Sequence, residues 1–176
     1  MTTDGLPEAL HVDGPTGEDA EQLQLFGQFI GSWDIAWSGL DAAGTTVTAR
    51  GELHVGWTLG GRAVQDTWIV PGRGEPGAGE GPLAFHGTTL RFYDRAIGAW
   101  RSTWIDPVNG RVRRFIGRPA GDEIVLLSDE DGPPQLRWRF TDIAPDSFVW
   151  RGEISHDGGA TWTVDEEMHI TRAAPA

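Results

Sequence analysis

The chain has 176 residues, enough for one domain with its own hydrophobic core but few for two. It has no cysteine, which excludes disulfide scaffolds, thiolate zinc sites and cysteine nucleophiles. The formal net charge of −12 argues against a nucleic-acid partner, because such binding needs a field that attracts phosphates. Neither a membrane-spanning apolar run nor a signal-peptide pattern is present, so we expect a cytoplasmic protein with no membrane partner.

The N-terminal part of the chain predicts a tail and one helix. Residues 1–15 mix Gly, Pro and acidic residues without periodicity, so we expect a disordered tail and a single domain over residues 16–172. Thr16 and Asp19 have the spacing of a helix capping box. The apolar residues that then share one helical face are Leu23, Phe26 and Ile30. This pattern predicts an amphipathic helix over residues 17–30.

From residue 33 onward, the hydrophobic pattern has a period of two, with turn residues about every ten positions. Strands are expected near residues 33–39, 45–57, 61–70, 83–94, 98–106, 110–118, 121–128, 135–142, 146–155 and 160–171. The short connectors make successive strands antiparallel neighbours. Because closure removes exposed edges, we expect an all-β, antiparallel up-and-down barrel of about ten strands, with the N-terminal helix plugging one end.

Two connectors have unusual sequences. Residues 71–82 hold five Gly and three Pro, which is typical either of a surface insertion or of a lid over the mouth of a barrel. Residues 155–162, SHDGGATW, match the local pattern called the Asp box in sialidases. A single copy in a chain of this length indicates a braced hairpin turn, because a sialidase propeller would need several copies and a longer chain.

The sequence GSW, residues 31–33, stands where the expected helix meets the first strand. Here the chain resembles the calycins, whose lipocalin members have a G-x-W at this point. Further segments of the resemblance are LFGQFIGSWDI (25–35), WTLGGRAV (57–64), FYDRAIGAW (92–100) and SHDGGATWTVDEEMHITR (155–172). Over residues 25–172 the chain is similar to lipocalin-like and nitrobindin-like barrels, including a bacterial family of unknown function. The resemblance implies a cavity for a small, largely apolar ligand, and it names neither ligand nor reaction.

Alternation along the strands predicts which side chains face the interior. The expected inward groups are Phe148, Trp150 and Ile154; Leu136, Trp138 and Phe140; Trp100 and Trp104; and Trp162, Val164, Met168 and Ile170. The candidate ligand-binding residues are Asp66, Trp68, Arg91, Tyr93, Trp100, Trp104, Arg113, Trp138, Trp150, Glu166 and Met168. The tryptophans serve equally well as plain core packing, so alternation alone leaves both interpretations open.

Charged side chains on inward faces need a partner or a ligand, because a bare charge in a dry cavity is unstable. One interpretation pairs Arg91 with Asp66 or Glu166. The other has Arg91, or Arg113 beside Phe115, holding a ligand carboxylate or enolate.

No metal or cofactor is expected. A metal cluster would need His54, His86 and His169 to converge on one face. The last strand carries the haem ligand in nitrobindin-like barrels, so haem through His169 is an alternative. Alternation, however, places His169 on the face opposite Met168.

These features favour binding of a small hydrophobic or amphipathic ligand in an aromatic-lined cavity. The alternative is a cofactor-free cyclase or isomerase that acts on a hydrophobic natural-product intermediate in the same cavity, with Asp66, Arg91, Tyr93 and Glu166 as candidate catalytic groups. A third interpretation is a protein that binds a partner through its surface. The sequence does not decide whether the protein is an enzyme, and it leaves a homodimer open.

Overall fold

The computed structural model describes residues 5–77, 81, 83–130 and 132–174. The elements are α1 (Gly5–Leu10), α2 (Ala20–Gly27), β1 (Gly31–Leu40), β2 (Thr46–Thr58), β3 (Ala63–Val70), β4 (Phe85–Asp94), β5 (Ala99–Asp106), β6 (Arg111–Ala120), β7 (Glu123–Ser128), β8 (Gln135–Ala144), β9 (Ser147–Ser155) and β10 (Thr163–Arg172). The expected strand boundaries differ from these by at most three residues. No helix among the described residues is long and apolar enough to cross a membrane.

The ten strands form one closed barrel. Each strand pairs antiparallel with the next along the chain, and β1 also pairs with β10, where Trp33 stands opposite Arg172. Closure leaves no unpaired sheet edge, which is the physical reason for a meander of this length to close. The expected all-β, up-and-down, ten-stranded barrel with a helix near its N-terminus is confirmed.

Helix α2 covers one end of the barrel. The ring of Phe26 lies with its centroid 4.8 Å from that of Trp100 and 5.7 Å from that of Phe140. Phe29, just after the helix, packs 4.6 Å from Phe148. Because these three partners belong to strands β5, β8 and β9, the helix joins the core and closes this end.

Helix α2 is shorter at both ends than the expected residues 17–30. The helix begins at Ala20, and Asp19 makes no side-chain capping bond, so the proposed capping box is wrong. Thr16 instead donates its hydroxyl to the Gly60 carbonyl, and Asp19 pairs with Arg95, with Nε 2.7 Å from Oδ1. Tertiary contacts with two strand connections thus take the side chains that would have capped the helix.

The described part of the expected tail, residues 5–15, contains α1 and a β-bridge between Val12 and Trp57. Residues 1–4 lie outside the described residues.

A β-bulge in β10 changes which of its side chains face inward. Val164 pairs with Glu153 and Glu166 with Gly152, so Asp165 is one residue extra. Met168 and Ile170 are buried as expected, but Val164 is 43% exposed. Trp162 lies in the preceding turn, 4.2 Å from the Arg137 guanidinium, and the expected inward placement of Trp162 and Val164 is wrong. A bulge shifts the alternation by one residue, which explains the error.

The SHDGGATW segment forms a braced turn between β9 and β10. The Asp157 carboxylate accepts hydrogen bonds from the Thr161 hydroxyl and from the Thr161 amide, the latter at 2.8 Å. These bonds and one from Ser155 hold the pKa of Asp157 at about 2. Gly159, at a φ of 89°, accepts the Trp162 indole N–H at 3.1 Å. The contacts agree with the structural interpretation of the motif.

Candidate functional site

A cavity of about 60 Å³ lies inside the barrel, between its middle and the end opposite α2. The residues around it are Trp68, Phe85, Thr89, Arg91, Trp104, Asp106, Arg111, Arg113, Trp138, Trp150, Glu166 and Met168. Phe85, Asp106 and Arg111 are the terminal residues of their strands, so the cavity extends to the strand ends on this side. We call this the open end of the barrel.

The structure brings eight of the eleven sequence-predicted residues to this cavity: Trp68, Arg91, Trp104, Arg113, Trp138, Trp150, Glu166 and Met168. Asp66 lies behind Arg91 as its ion-pair partner. Trp100 packs against Phe26 at the α2 end, and the Tyr93 ring lies 6.3 Å from it, so neither lines the cavity.

Sequence reasoning missed four lining residues: Phe85, Thr89, Asp106 and Arg111. Phe85 and Thr89 alternate with Arg91 along β4, so alternation is a sufficient signal to find both. Asp106 and Arg111 flank a turn at the ends of β5 and β6, where alternation does not determine the direction of a side chain.

An ion pair forms the floor of the cavity. Arg91 and Asp66 have side-chain exposures of 3% and 2%, and Arg91 Nη1 donates to Asp66 Oδ2. The other carboxylate oxygen accepts the Thr89 amide at 2.9 Å. The Arg91 guanidinium also lies 4.9 Å from the centre of the Phe26 ring. The expected pairing of Arg91 is thus with Asp66, and Glu166 is not part of it.

Several polar atoms at this depth have no hydrogen-bond partner among the described residues. They include Arg91 Nε, Thr89 Oγ1 and Ser102 Oγ, all on inward-facing side chains. Buried polar atoms are rarely left without a partner, so these three suit a water or the polar group of a ligand.

Below the ion pair, a second void of about 10 Å³ lies among Phe26, Phe29, Phe140 and Phe148. A space of this size is at the lower limit for a single water molecule. The lumen beneath the pair is therefore filled by side chains.

Tryptophan rings form the walls of the cavity and contact one another. The Trp138 ring centroid lies 5.3 Å from that of Trp150 and 4.0 Å from that of Phe115. Trp104 meets Trp138 edge-on at 6.3 Å. Both sequence interpretations thus apply, because the same rings pack the core and face the cavity. Their packing explains why the space is well below the roughly 300–1,000 Å³ of drug-sized sites.

Two arginines and two carboxyl groups surround the open end. Burial, together with the nearby Asp165 carboxylate, raises the pKa of Glu166 to about 7, and burial also raises that of Asp165. Burial and the charge of Arg111 lower the pKa of Arg113. Within the described part of the chain, Arg111, Arg113, Asp165 and Glu166 form no ion pair within 4 Å. Because Arg113 has no carboxylate within ion-pair distance among these residues, its guanidinium is available to a ligand.

The indole N–H of Trp37 approaches Glu166 from β1. This approach lowers the pKa of the Glu166 carboxyl, but burial and the Asp165 carboxylate raise it by more. The net result is that the pKa of Glu166 remains about 7.

Glu166→Gln is expected to flatten the pH dependence of stability. Between the ordinary pKa of 4.5 and the folded value of about 7, the folded protein keeps a proton that the unfolded chain has lost. Stability from Glu166 is therefore present below pH 4.5 and is lost as the pH rises through 7, by about 3 kcal/mol. Urea unfolding at pH 4.5 and pH 8 should show this fall in the wild type and a smaller one in E166Q. Glu167→Gln is the matched control, and an equal fall in E166Q and wild type would contradict the assignment.

The first part of the Gly- and Pro-rich connector is attached to β2. The Gly72 amide donates to the Arg50 carbonyl at 2.9 Å, and Arg73 binds Glu52. Described residues Pro71, Pro76 and Leu83 border a separate groove of about 940 Å³ beside β1 and β2, whereas none of the connector's described residues lines the cavity. Residues 78–80 and 82 lie outside the described residues, and a lid role stays a prediction.

The histidines do not line the cavity. His169 is on the outer face, as alternation predicted, with its side chain 62% exposed and Nε2 2.8 Å from Glu167 Oε1. This position and the small cavity do not fit a haem ligated from the lumen by His169. In the chain as described, no three His, Asp or Glu side chains stand close enough to share a metal ion.

Comparisons with known proteins concern the fold. No family model matches the sequence, and no curated protein matches it. An S-type phycobiliprotein lyase, CPES from Guillardia theta, is similar in structure with a TM-score of 0.55 and 12% identity, over 87% of this chain and 93% of that one. Rv2717c from M. tuberculosis is similar with a TM-score of 0.56 and 15% identity, over 86% and 97%. At these identities the likeness shows the fold alone, that of a closed antiparallel barrel.

Proposed function

We propose that the open end of the barrel binds a small aromatic or amphipathic molecule that carries an acidic group. The observation that supports this most is a tryptophan-walled cavity that has the partly buried guanidinium of Arg113 at its entrance, with no ion-pair partner among the described residues. Burial of apolar surface would supply most of the affinity, and a bidentate hydrogen bond from Arg113 would set the orientation.

The size of the cavity narrows the proposed ligand. A volume of about 60 Å³ suits a few waters or a small group, so a ligand of one aromatic ring would need the tryptophan rings to shift. A molecule held along the full length of the lumen would meet the Arg91 and Asp66 pair. Binding of a compact ligand near the open end is therefore the form of the proposal.

Benzoate and its neutral analogue benzamide test the proposal by calorimetric titration. Arg113→Gln is expected to weaken benzoate binding by about tenfold to a hundredfold, because hydrogen bonds to charged groups contribute roughly 1.5–3 kcal/mol. Benzamide binding should change little. Arg114→Gln is the control, since Arg114 follows directly in β6 but is exposed and does not line the cavity. Failure of both probes to bind the wild type would contradict a small-ligand site, and equal binding in R113Q would contradict the role of Arg113.

Catalysis in the same cavity is the second candidate function. Glu166 favours it, because a carboxyl group with a pKa of about 7 can both give and take a proton near neutral pH. Asp66 and Arg91 are occupied by each other, and Tyr93 lies outside the cavity lining. The structural likeness to a phycobiliprotein lyase supports the idea that such a barrel can hold an enzyme. Isomerisation of cyclohex-3-enone to the conjugated ketone, lost in E166Q, would support this candidate; no acceleration by the wild type would count against it.

A further inference from the structure

A serine, a histidine and a glutamate form a hydrogen-bonded series on the outside of the barrel. Ser32 in β1 and His54 in β2 are direct cross-strand partners. The Ser32 hydroxyl oxygen lies 3.0 Å from His54 Nδ1, and His54 Nε2 lies 2.8 Å from Glu52 Oε2. The series therefore has the order hydroxyl, imidazole, carboxylate that activates serine nucleophiles.

The position of each proton follows from the charge on Glu52. Arg73 binds this carboxylate through its amide at 2.7 Å and through Nε and Nη2, each at 2.9 Å. These bonds lower the pKa of Glu52 to about 2, so the carboxylate is ionised and can only accept. His54 Nε2 must then carry the hydrogen, and the Nδ1 lone pair accepts the Ser32 hydroxyl. Arg73 Nη2, 3.3 Å from Nε2, cannot donate to it in this tautomer.

Ser32 and His54 border a groove that is separate from the barrel cavity. The groove has a volume of about 420 Å³, within the usual range for small-molecule sites. Helix α1 contributes Pro7 and Leu10 to its wall, and β2 contributes Val55 and Trp57. Ser32 is exposed and the His54 side chain is 40% exposed, so a ligand in the groove can reach both.

A second histidine in the same barrel shows what is specific to this position. His169 binds Glu167 at 2.8 Å, and Glu167 in turn binds Arg151 at 2.6 Å, which repeats the histidine, glutamate and arginine series. The residue of β1 opposite His169 is Ala36. The histidine, glutamate and arginine series therefore occurs at both positions and has a structural role by itself. The series at His54 differs because the Ser32 hydroxyl bonds its imidazole.

We propose that Ser32 is a nucleophile that accepts acyl groups from small esters bound in this groove. Ser32 Oγ attacks the ester carbonyl carbon while His54 Nδ1 takes the hydroxyl proton. The bond to the leaving oxygen then breaks, that oxygen receives the proton from His54, and acyl-Ser32 and an alcohol result. A water gives its proton to His54 and bonds to the acyl carbon, after which Ser32 Oγ leaves with the proton and a carboxylic acid is released. Glu52 is a positioning residue that orients the imidazole.

The full chain and p-nitrophenyl acetate test the proposal. Release of p-nitrophenolate is followed by absorbance, and acetylated peptides are identified by mass spectrometry. We expect acetyl-Ser32 to form at least tenfold faster than acetyl-Ser38, and Ser32→Ala to abolish the protein-dependent rate. His54→Gln should lower that rate by about a hundredfold or more, the usual contribution of a general base.

Two variants are matched controls. Ser38→Ala removes another outer-face serine of β1, whose hydroxyl bonds the Glu167 carbonyl and no imidazole. His169→Gln disrupts the equivalent histidine and glutamate pair that lacks a serine. Both should keep the wild-type rate. An unchanged rate in folded S32A, or equal acetylation of Ser32 and Ser38, would overturn the proposal. Since Ser32 is exposed, S32A decides the outcome even if H54Q fails to fold.

Discussion

Asp66→Ala is expected to lower the free energy of unfolding by about 3–5 kcal/mol, because it leaves the Arg91 charge buried without its partner. The Arg91 side chain is 3% exposed and has no second carboxylate within 4 Å among the described residues, so no other acidic side chain can replace Asp66 as its partner. The Thr89 amide loses its acceptor in the same variant. Urea unfolding followed by tryptophan fluorescence measures the change.

Two further variants separate charge from packing in this prediction. The double variant Asp66→Ala, Arg91→Met removes both charges and should recover much of the loss, since a buried pair replaced by apolar groups is often neutral. Glu18→Ala breaks an exposed pair with Arg95 and should leave the free energy of unfolding nearly unchanged. A loss below about 1 kcal/mol in D66A would show that Arg91 reaches another partner or water.

Phe26→Ala is expected to lower the free energy of unfolding by about 3–5 kcal/mol as well, the usual loss for a large buried ring. Phe26 is 1% exposed and contacts Trp100, Phe140 and the Arg91 guanidinium. The variant leaves a cavity on the α2 side of the ion pair, and α2 loses one of its two fully buried side chains.

Phe26→Leu is the control for this second prediction. Leucine keeps most of the volume and the apolar contact, so the loss should be clearly smaller than for alanine. Binding of the dye ANS, measured in native buffer, should rise only in F26A, where apolar surface at the α2 end becomes accessible. Equal stability of F26A and wild type would mean that α2 does not close the barrel.

The barrel was predictable from the sequence because two local signals agreed throughout. Alternation marked the strands, and Asp, Asn and Gly at the turns made neighbours antiparallel. The exceptions are places where a long-range contact overrides a local preference. Thr16 bonds the Gly60 carbonyl instead of capping a helix, and the extra residue Asp165 in β10 turns Val164 outward.

The sequence predicted which side chains of the candidate site face the interior of the barrel, but not how far along the lumen each one lies. Trp100 and Trp104 share one face of β5, yet Trp100 packs against α2 while Trp104 lines the cavity. Alternation reports the face of a strand, whereas depth depends on tilt and on where the helix closes the barrel. The contact between Ser32 and His54 depends on the register of β1 and β2, which a sequence without a paired structure does not specify.

The buried pair of Asp66 and Arg91 has a consequence for the shape of what the barrel can hold. A molecule that enters from the open end meets this ion pair before it reaches the aromatic side chains next to α2. The lumen is therefore not a continuous apolar channel. To go deeper, an extended alkyl chain would have to place its terminal methyl group against the Arg91 guanidinium and break the hydrogen bonds of that guanidinium. The space that can be reached from the open end therefore ends at the Asp66 and Arg91 pair, and the depth of the lumen is set by these two side chains.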